Sequence, residues 1–162
     1  MAELGDTLGE ARGYANLGNV RALQENWEEA RDQYQKCLDV MERLENRPGI
    51  AQQCESLGDV SLKLGDLEKA EHYLNQARSL FEAMKDPRSV EQVQNKLLYI
   101  MGHPKYLERR REELLAELKN PEVEKDETKK AILMGELGNV YFMTQDFEQS
   151  EQTLRETIAL QE

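Results

Sequence analysis

The chain has 162 residues, 33% of them charged and only 6% aromatic, with a formal net charge of −11. So much charge over so few rings excludes a thick sandwich or barrel core and favours thin, strongly solvated helical layers. No apolar run nears the ~20 residues of a membrane span, and the N-terminal MAELGDTLGE has neither a basic nor an apolar leader region. An acidic balance also repels phosphate and anionic lipid. The expectation is a soluble, cytoplasmic protein that binds neither nucleic acid nor membrane.

In chain order, residues 1–11 align on residues 41–51, with Leu4 under Leu44, Gly9 under Gly49 and Ala11 under Ala51, so the chain is expected to start inside a repeat. The first full unit, residues 9–48, sets Tyr14, Leu17, Val20 and Leu23 at steps of three, the spacing of an apolar helix stripe. Glu25-Asn26 interrupts the pattern and offers a cap, Trp27 follows at once, and Ala30 and Tyr34 mark a second helix. The second unit, residues 49–88, repeats this as Cys54, Leu57-Gly58, Gly65-Asp66, Leu67, Ala70 and Leu74. Residues 129–162 do so again as Met134, Leu137-Gly138, Gln145-Asp146, Phe147, Ser150 and Leu154, ending in TIALQE, again inside a repeat. The Leu-Gly pair thus recurs with a period of 40 residues, and a glycine kept in a helix interior, at ~1 kcal/mol relative to alanine, implies a close helix contact.

The unit between, residues 89–128, is degenerate. Leu98 replaces the glycine, Pro104 sits near the turn, and Arg110 stands where a small residue is expected. Val93, Leu97, Ile100 and Met101 are expected to pack against Leu107, Leu114, Leu115 and Leu118. Arg109, Arg110 and Arg111 with Lys105 form a basic patch that either meets an anionic peptide or pairs with Glu108, Glu112 and Glu113. Pro121 and the charge of residues 119–130 predict a longer loop, a candidate hinge.

Cys37 and Cys54 lack CxxC spacing and read as reduced core residues, and His72 and His103 stand far apart, so neither a metal nor a cofactor is expected. There is no phosphate loop, no H-E-x-x-H and no G-x-S-x-G, which argues against an enzyme.

Read together as Tyr14…Leu17-Gly18…Arg21…Ala30…Tyr34, Cys54…Leu57-Gly58…Ser61…Ala70…Leu74 and Met134…Leu137-Gly138…Tyr141…Ser150…Leu154, the units resemble tetratricopeptide repeats over nearly the whole chain. The 40-residue period is similar to the subclass found in spindle-orientation adaptors and kinesin light chains. This resemblance implies an all-α, right-handed superhelical solenoid over residues 1–162, with helix-turn-helix units 9–48, 49–88, 89–128 and 129–162. It implies a concave groove that binds a peptide or helix of a protein partner, lined by Arg12, Asn16, Asn19, Gln52, Glu55, Asp59, Asn95, Tyr99, Glu136 and Asn139. Asn19 and Asn139 would meet a peptide backbone. The basic clamp that holds chaperone carboxylate tails is absent, since unit two offers Glu55 and Asp59 in its place, so a basic or mixed-charge partner segment is expected. Two alternatives stay open: the regulatory arm of a larger enzyme or signalling protein, and a homo-oligomer formed through apolar Phe147, Leu154, Ile158 and Leu160.

Overall fold

The same short turn recurs at five steps of the repeat. Residues Glu25, Glu45, Gly65, Lys85 and Gln145 all take positive φ, from 51° to 73°, although only one of them is glycine. The residue after each then donates its backbone N–H to a carbonyl five residues back, as Asn26 to Arg21 and Asp66 to Ser61, both at 2.9 Å. This closes the open carbonyls of the preceding helix in the manner of a Schellman turn. The same residue caps the next helix: the side chains of Asn26, Asn46, Asp66, Asp86 and Asp146 each accept a backbone N–H from three residues on. A two-residue signal therefore ends one helix and starts another.

The computed structural model describes residues 2–161, with side chains from Thr7 onward. The register of Leu4 on Leu44 and the last residue of TIALQE lie outside the described residues. The elements are α1 (Ala2–Leu23), α2 (Trp27–Arg43), α3 (Arg47–Lys63), α4 (Leu67–Ala83), α5 (Pro87–Met101), α6 (Pro104–Leu118), α7 (Pro121–Glu124), α8 (Glu127–Met143) and α9 (Phe147–Ala159). The described residues form no strand, so the chain is all-α, built from tetratricopeptide-like helix pairs. They divide into two compact units, Met1–Ile100 and Met101–Glu162.

Three hairpins, α1–α2, α3–α4 and α8–α9, share one contact. A Cβ added at Gly18 would lie 2.6 Å from the Tyr34 ring, at Gly58 2.6 Å from Leu74, and at Gly138 2.7 Å from Leu154. Real Cβ atoms do not come so close, so only glycine admits the large residue of the facing helix. The small residues one turn earlier on that helix, Ala30, Ala70 and Ser150, are buried, and the Ser150 hydroxyl donates to the Gly138 carbonyl at 2.9 Å. This is the packing expected from the repeated glycine.

The remaining interior is local to each unit. In the first, Ala11, Cys37, Val40 and Met41 form a cluster flanked by Tyr14 and Ile50, while Leu57 and Leu74 are fully buried. In the second, Leu107 and Leu114 of α6 and Val123 of α7 pack against Leu133, Leu137 and Val140 of α8. Both cysteines are free and buried, and burial pushes the Cys54 thiol up to about 11, which keeps it neutral.

Three expectations need correction. The stripe spacing assigns Leu17, Val20 and Leu23 to packed positions, yet they are 41%, 47% and 86% exposed, whereas their register mates Leu57, Val60, Leu137 and Val140 are buried. The reason is a missing cover: α6 lies over Leu137 and Val140, and among the described residues of the first unit no helix takes that place on α1. In the degenerate unit Met101 and Leu115 are exposed and not packed, as is Leu98, at 54%. Finally, residues 119–130 are not a free loop, because Asn120 caps the short α7 by accepting from the Glu122 N–H and Val123 is buried in the α6–α8 core.

Candidate partner-binding face

The first helices of the pairs in the first unit are α1, α3 and α5, and the residues off their packed stripes make one polar surface. Arg12, Asn16 and Asn19 are exposed on α1, Gln52 on α3, and Asn95 and Tyr99 on α5. Glu55 and Asp59, on α3, are half-buried. Their partner comes from α5: the Lys96 Nζ donates to Glu55 Oε1 at 2.8 Å and to Asp59 Oδ2 at 2.7 Å. One ammonium therefore ties α5 to α3 through two carboxylates.

The titration of these groups follows from that geometry. Burial penalises the Lys96 ammonium, yet its hydrogen bonds to Asp59 and Glu55 outweigh the penalty and leave it above the ordinary 10.5. Asp59 is also raised, chiefly by burial; it shares one ammonium with Glu55, whose charge repels it, so the pairing does not repay its desolvation in full. The Tyr34 hydroxyl, raised by burial and by the nearby Asp59 charge, donates to Asn19 Oδ1 at 2.8 Å. With that oxygen occupied, the Asn19 amide is left to present N–H donors outward.

Charge is thus balanced on this surface. Arg12 and Lys96 offset Glu55 and Asp59, and the rest of the face is amide and hydroxyl: Asn16, Asn19, Gln52, Ser56 and Asn95. The acidity of the chain lies instead on the second helices, where Glu28, Asp32, Glu42, Glu68 and Glu82 are exposed. The two carboxylates that suggested an acidic groove already share the Lys96 ammonium, and Arg12 supplies the second positive charge of the face.

In the second unit, Glu136 and Asn139 lie on α8, and Glu136 accepts from the Arg110 Nη2 at 2.6 Å. Arg110 also meets Glu113 at 3.3 Å, and Arg109 meets the same residue's carboxylate at 3.4 Å while stacking 5.1 Å over the Tyr106 ring. Of the two readings of the basic patch, pairing within the helix holds for these two arginines. What sequence reasoning missed were the joints themselves, Lys96 to Glu55 and Asp59, Tyr34 to Asn19 and Arg110 to Glu136, which connect residues on different helices. No group of three or more His, Cys, Asp or Glu is placed to hold a metal among the described residues, and no described helix is long and apolar enough to cross a membrane.

Comparison with known proteins agrees with this architecture. A tetratricopeptide-repeat family profile matches residues 9–83. The crystal structure of BtubC (BKLC) from P. vanneervenii is similar, with a TM-score of 0.56 and 18% identity over 93% of this chain. The match spans 63% of the length of the BtubC chain. Two crystal structures of nearly identical TPR-like repeats of a putative kinesin light chain from Podosopora anserina, one of them a point variant, align at 13% identity with TM-scores of 0.39, covering 93% of this chain and 93% and 94% of theirs. No curated protein matches the sequence.

Proposed function

From the match of a tetratricopeptide-repeat profile to residues 9–83, we propose that the chain is a tetratricopeptide-repeat protein whose α1, α3 and α5 face in the first unit holds an extended segment of a protein partner. Repeats of this family mediate binding between proteins and are typically non-catalytic. The observation that carries the finer reading is the charge balance of the face: Arg12 and Lys96 match Glu55 and Asp59 in number, and the rest is a run of amides at Asn16, Asn19, Gln52 and Asn95. Amides donate and accept at once, so such a face matches peptide backbone and polar side chains rather than a block of one charge. Of the basic and mixed-charge segments expected from the sequence, the mixed-charge one fits better. Asn139, at the register position of Asn19, would extend the same reading to α8.

The reading supports a specific salt response. Recognition by neutral amides is screened little by salt, whereas a basic segment held by free carboxylates would be lost as the Debye length shortens. An array of immobilised short peptides of varied sequence, probed with the full chain at low and raised salt, tests it against the triple variant Asn16→Ala, Gln52→Ala, Asn95→Ala. Binding of a peptide subset that persists at raised salt and drops at least tenfold in the triple variant is expected. Equal binding by the triple variant, or binding confined to low salt and polybasic peptides, contradicts the proposal.

A further inference from the structure

Balanced as a whole, the α1, α3 and α5 face is not balanced helix by helix. On α1, Arg12, Asn16 and Asn19 are exposed along one stripe, at steps of four and three residues. No acidic residue stands three or four positions from Arg12 on its helix, whereas Arg21, off this stripe, is held by Glu29 at 2.9 Å. A free asparagine would offer donor and acceptor alike, but the Tyr34 hydroxyl engages the Asn19 Oδ1 at 2.8 Å and leaves the Nδ2 donors. That lock occurs at one repeat only, because the register mates of Tyr34 are Leu74, Leu114 and Leu154. The α1 stripe therefore presents a cation and N–H donors.

The α3 stripe presents the opposite. Two carboxylates, Glu55 and Asp59, share the single Lys96 ammonium, so one negative charge is left over. The surplus lies toward the surface at Asp59, whose side chain is 48% exposed against 22% for Glu55. Lys96 takes its Oδ2, and no described side chain donates to its Oδ1. Lys63, one turn further along α3, lies over the Trp27 ring, 5.8 Å from its centre. Burial raises the Asp59 carboxyl despite its cation, in keeping with a charge only partly offset from within.

We propose that the partner segment held by this face is bipolar, with an acidic side chain seated on α1 beside Arg12 and Asn19 and a basic side chain on α3 at Asp59. This rests on the peptide-binding reading of the face and adds which of the partner's charges goes where. Helix α2 packs on both α1 and α3, and packed helix axes lie about 8–10 Å apart, so the two poles stand on the order of 10 Å from each other. Extended chain advances ~3.3 Å per residue, which sets the acidic and basic residues about three to five positions apart. The amides hold the segment, and the poles choose among sequences. A polybasic segment meets Arg12 and a polyacidic one meets Asp59, so each is opposed at one end.

Short peptides of random sequence on an array, probed at low salt with the full chain and with the variants Arg12→Ala and Asp59→Asn, test the proposal. Both residues lie at the surface, so circular dichroism should find the helices intact in each variant. The wild type is expected to retain peptides with the two charges at this spacing about threefold to tenfold better than their Asn and Gln counterparts, or than peptides with the same charges adjacent. Raised salt should shrink that ratio while amide-dependent binding persists. Arg12→Ala should lose the preference for the acidic residue and keep that for the basic one, and Asp59→Asn the reverse. Binding that depends on Asn16, Gln52 and Asn95 yet ignores the peptide's charges overturns this proposal alone, and so do two variants that lose the same preference. A wild type that retains no peptide overturns both this proposal and the reading beneath it.

Discussion

The α3–α4 hairpin and the degenerate repeat that follows it differ at the two signature positions of the hairpin contact, and the boundary between the compact units falls within the second. In the hairpin, Gly58 lets Leu74 approach to a distance that a Cβ would violate, and Ala70 lies fully buried beside them. In the next repeat the same positions hold Leu98 and Arg110. Leu98 is 54% exposed, Arg110 turns to Glu136 and Glu113, and the boundary between the compact units falls between Ile100 and Met101. The apolar period alone does not make a tetratricopeptide hairpin, since Val93, Leu97 and Ile100 keep it and are buried. The glycine and the small residue are what the three hairpins share and this repeat lacks.

The comparison can be sharpened first at the large residue that faces the glycine. Leu74 and its register mate Leu114 are both fully buried, one against Gly58 and the other in the α6–α8 core. Leu74→Ala and Leu114→Ala should each lose about 2–5 kcal/mol in urea unfolding, because each opens a cavity in its own unit. A loss confined to Leu74→Ala would mean that the second unit has no core of its own.

A smaller effect is expected at Lys96, which has no counterpart in the α3–α4 hairpin. Lys96→Met leaves Glu55 and Asp59 facing each other without their cation and should cost about 1–2 kcal/mol near neutral pH. The pH dependence has a definite sign. The lysine is raised in the folded chain, so its stabilisation is complete below the ordinary 10.5 and is lost as pH rises through the higher folded value. Thermal melts across that window should show the loss in the wild type and not in Lys96→Met; parallel curves would contradict the assignment of Lys96.

The smallest effect is a gain. Gly13 lies on α1 with open space around its Cβ position, unlike Gly18 five residues on, which faces Tyr34. Gly13→Ala should stabilise by up to about 1 kcal/mol through helix propensity alone, read as a rise in melting temperature. Destabilisation would show that not only the signature glycines are packed.

How far the sequence could be read depended on how local each cause is. The caps and turns were legible because Asn26, Asp66 and Asp146 act within three residues, and the hairpin contact was legible because its glycine repeats. The exposure of Leu17 and Val20 was not, since a helix stripe reveals which residues want cover and not whether a helix supplies it. Residues 119–130 misled because Pro121, read as a loop former, serves as the first residue of the capped helix α7. The candidate site was legible as a set of positions, whereas its charge was not. Glu55 and Asp59 look like an acidic surface until Lys96, 41 and 37 residues away, is found between them.

The most direct test of the central claim is a reciprocal exchange followed by urea unfolding, Gly58→Leu in one chain and Leu98→Gly in another. Leucine at 58 must displace Leu74, so a loss of about 1–3 kcal/mol is predicted. Glycine at 98 removes an exposed side chain and should cost no more than about 1 kcal/mol, the helix-propensity term. If Leu98→Gly destabilised the chain as much as Gly58→Leu, position 98 would be a packed contact like the others, and the contrast between the two repeats would be wrong.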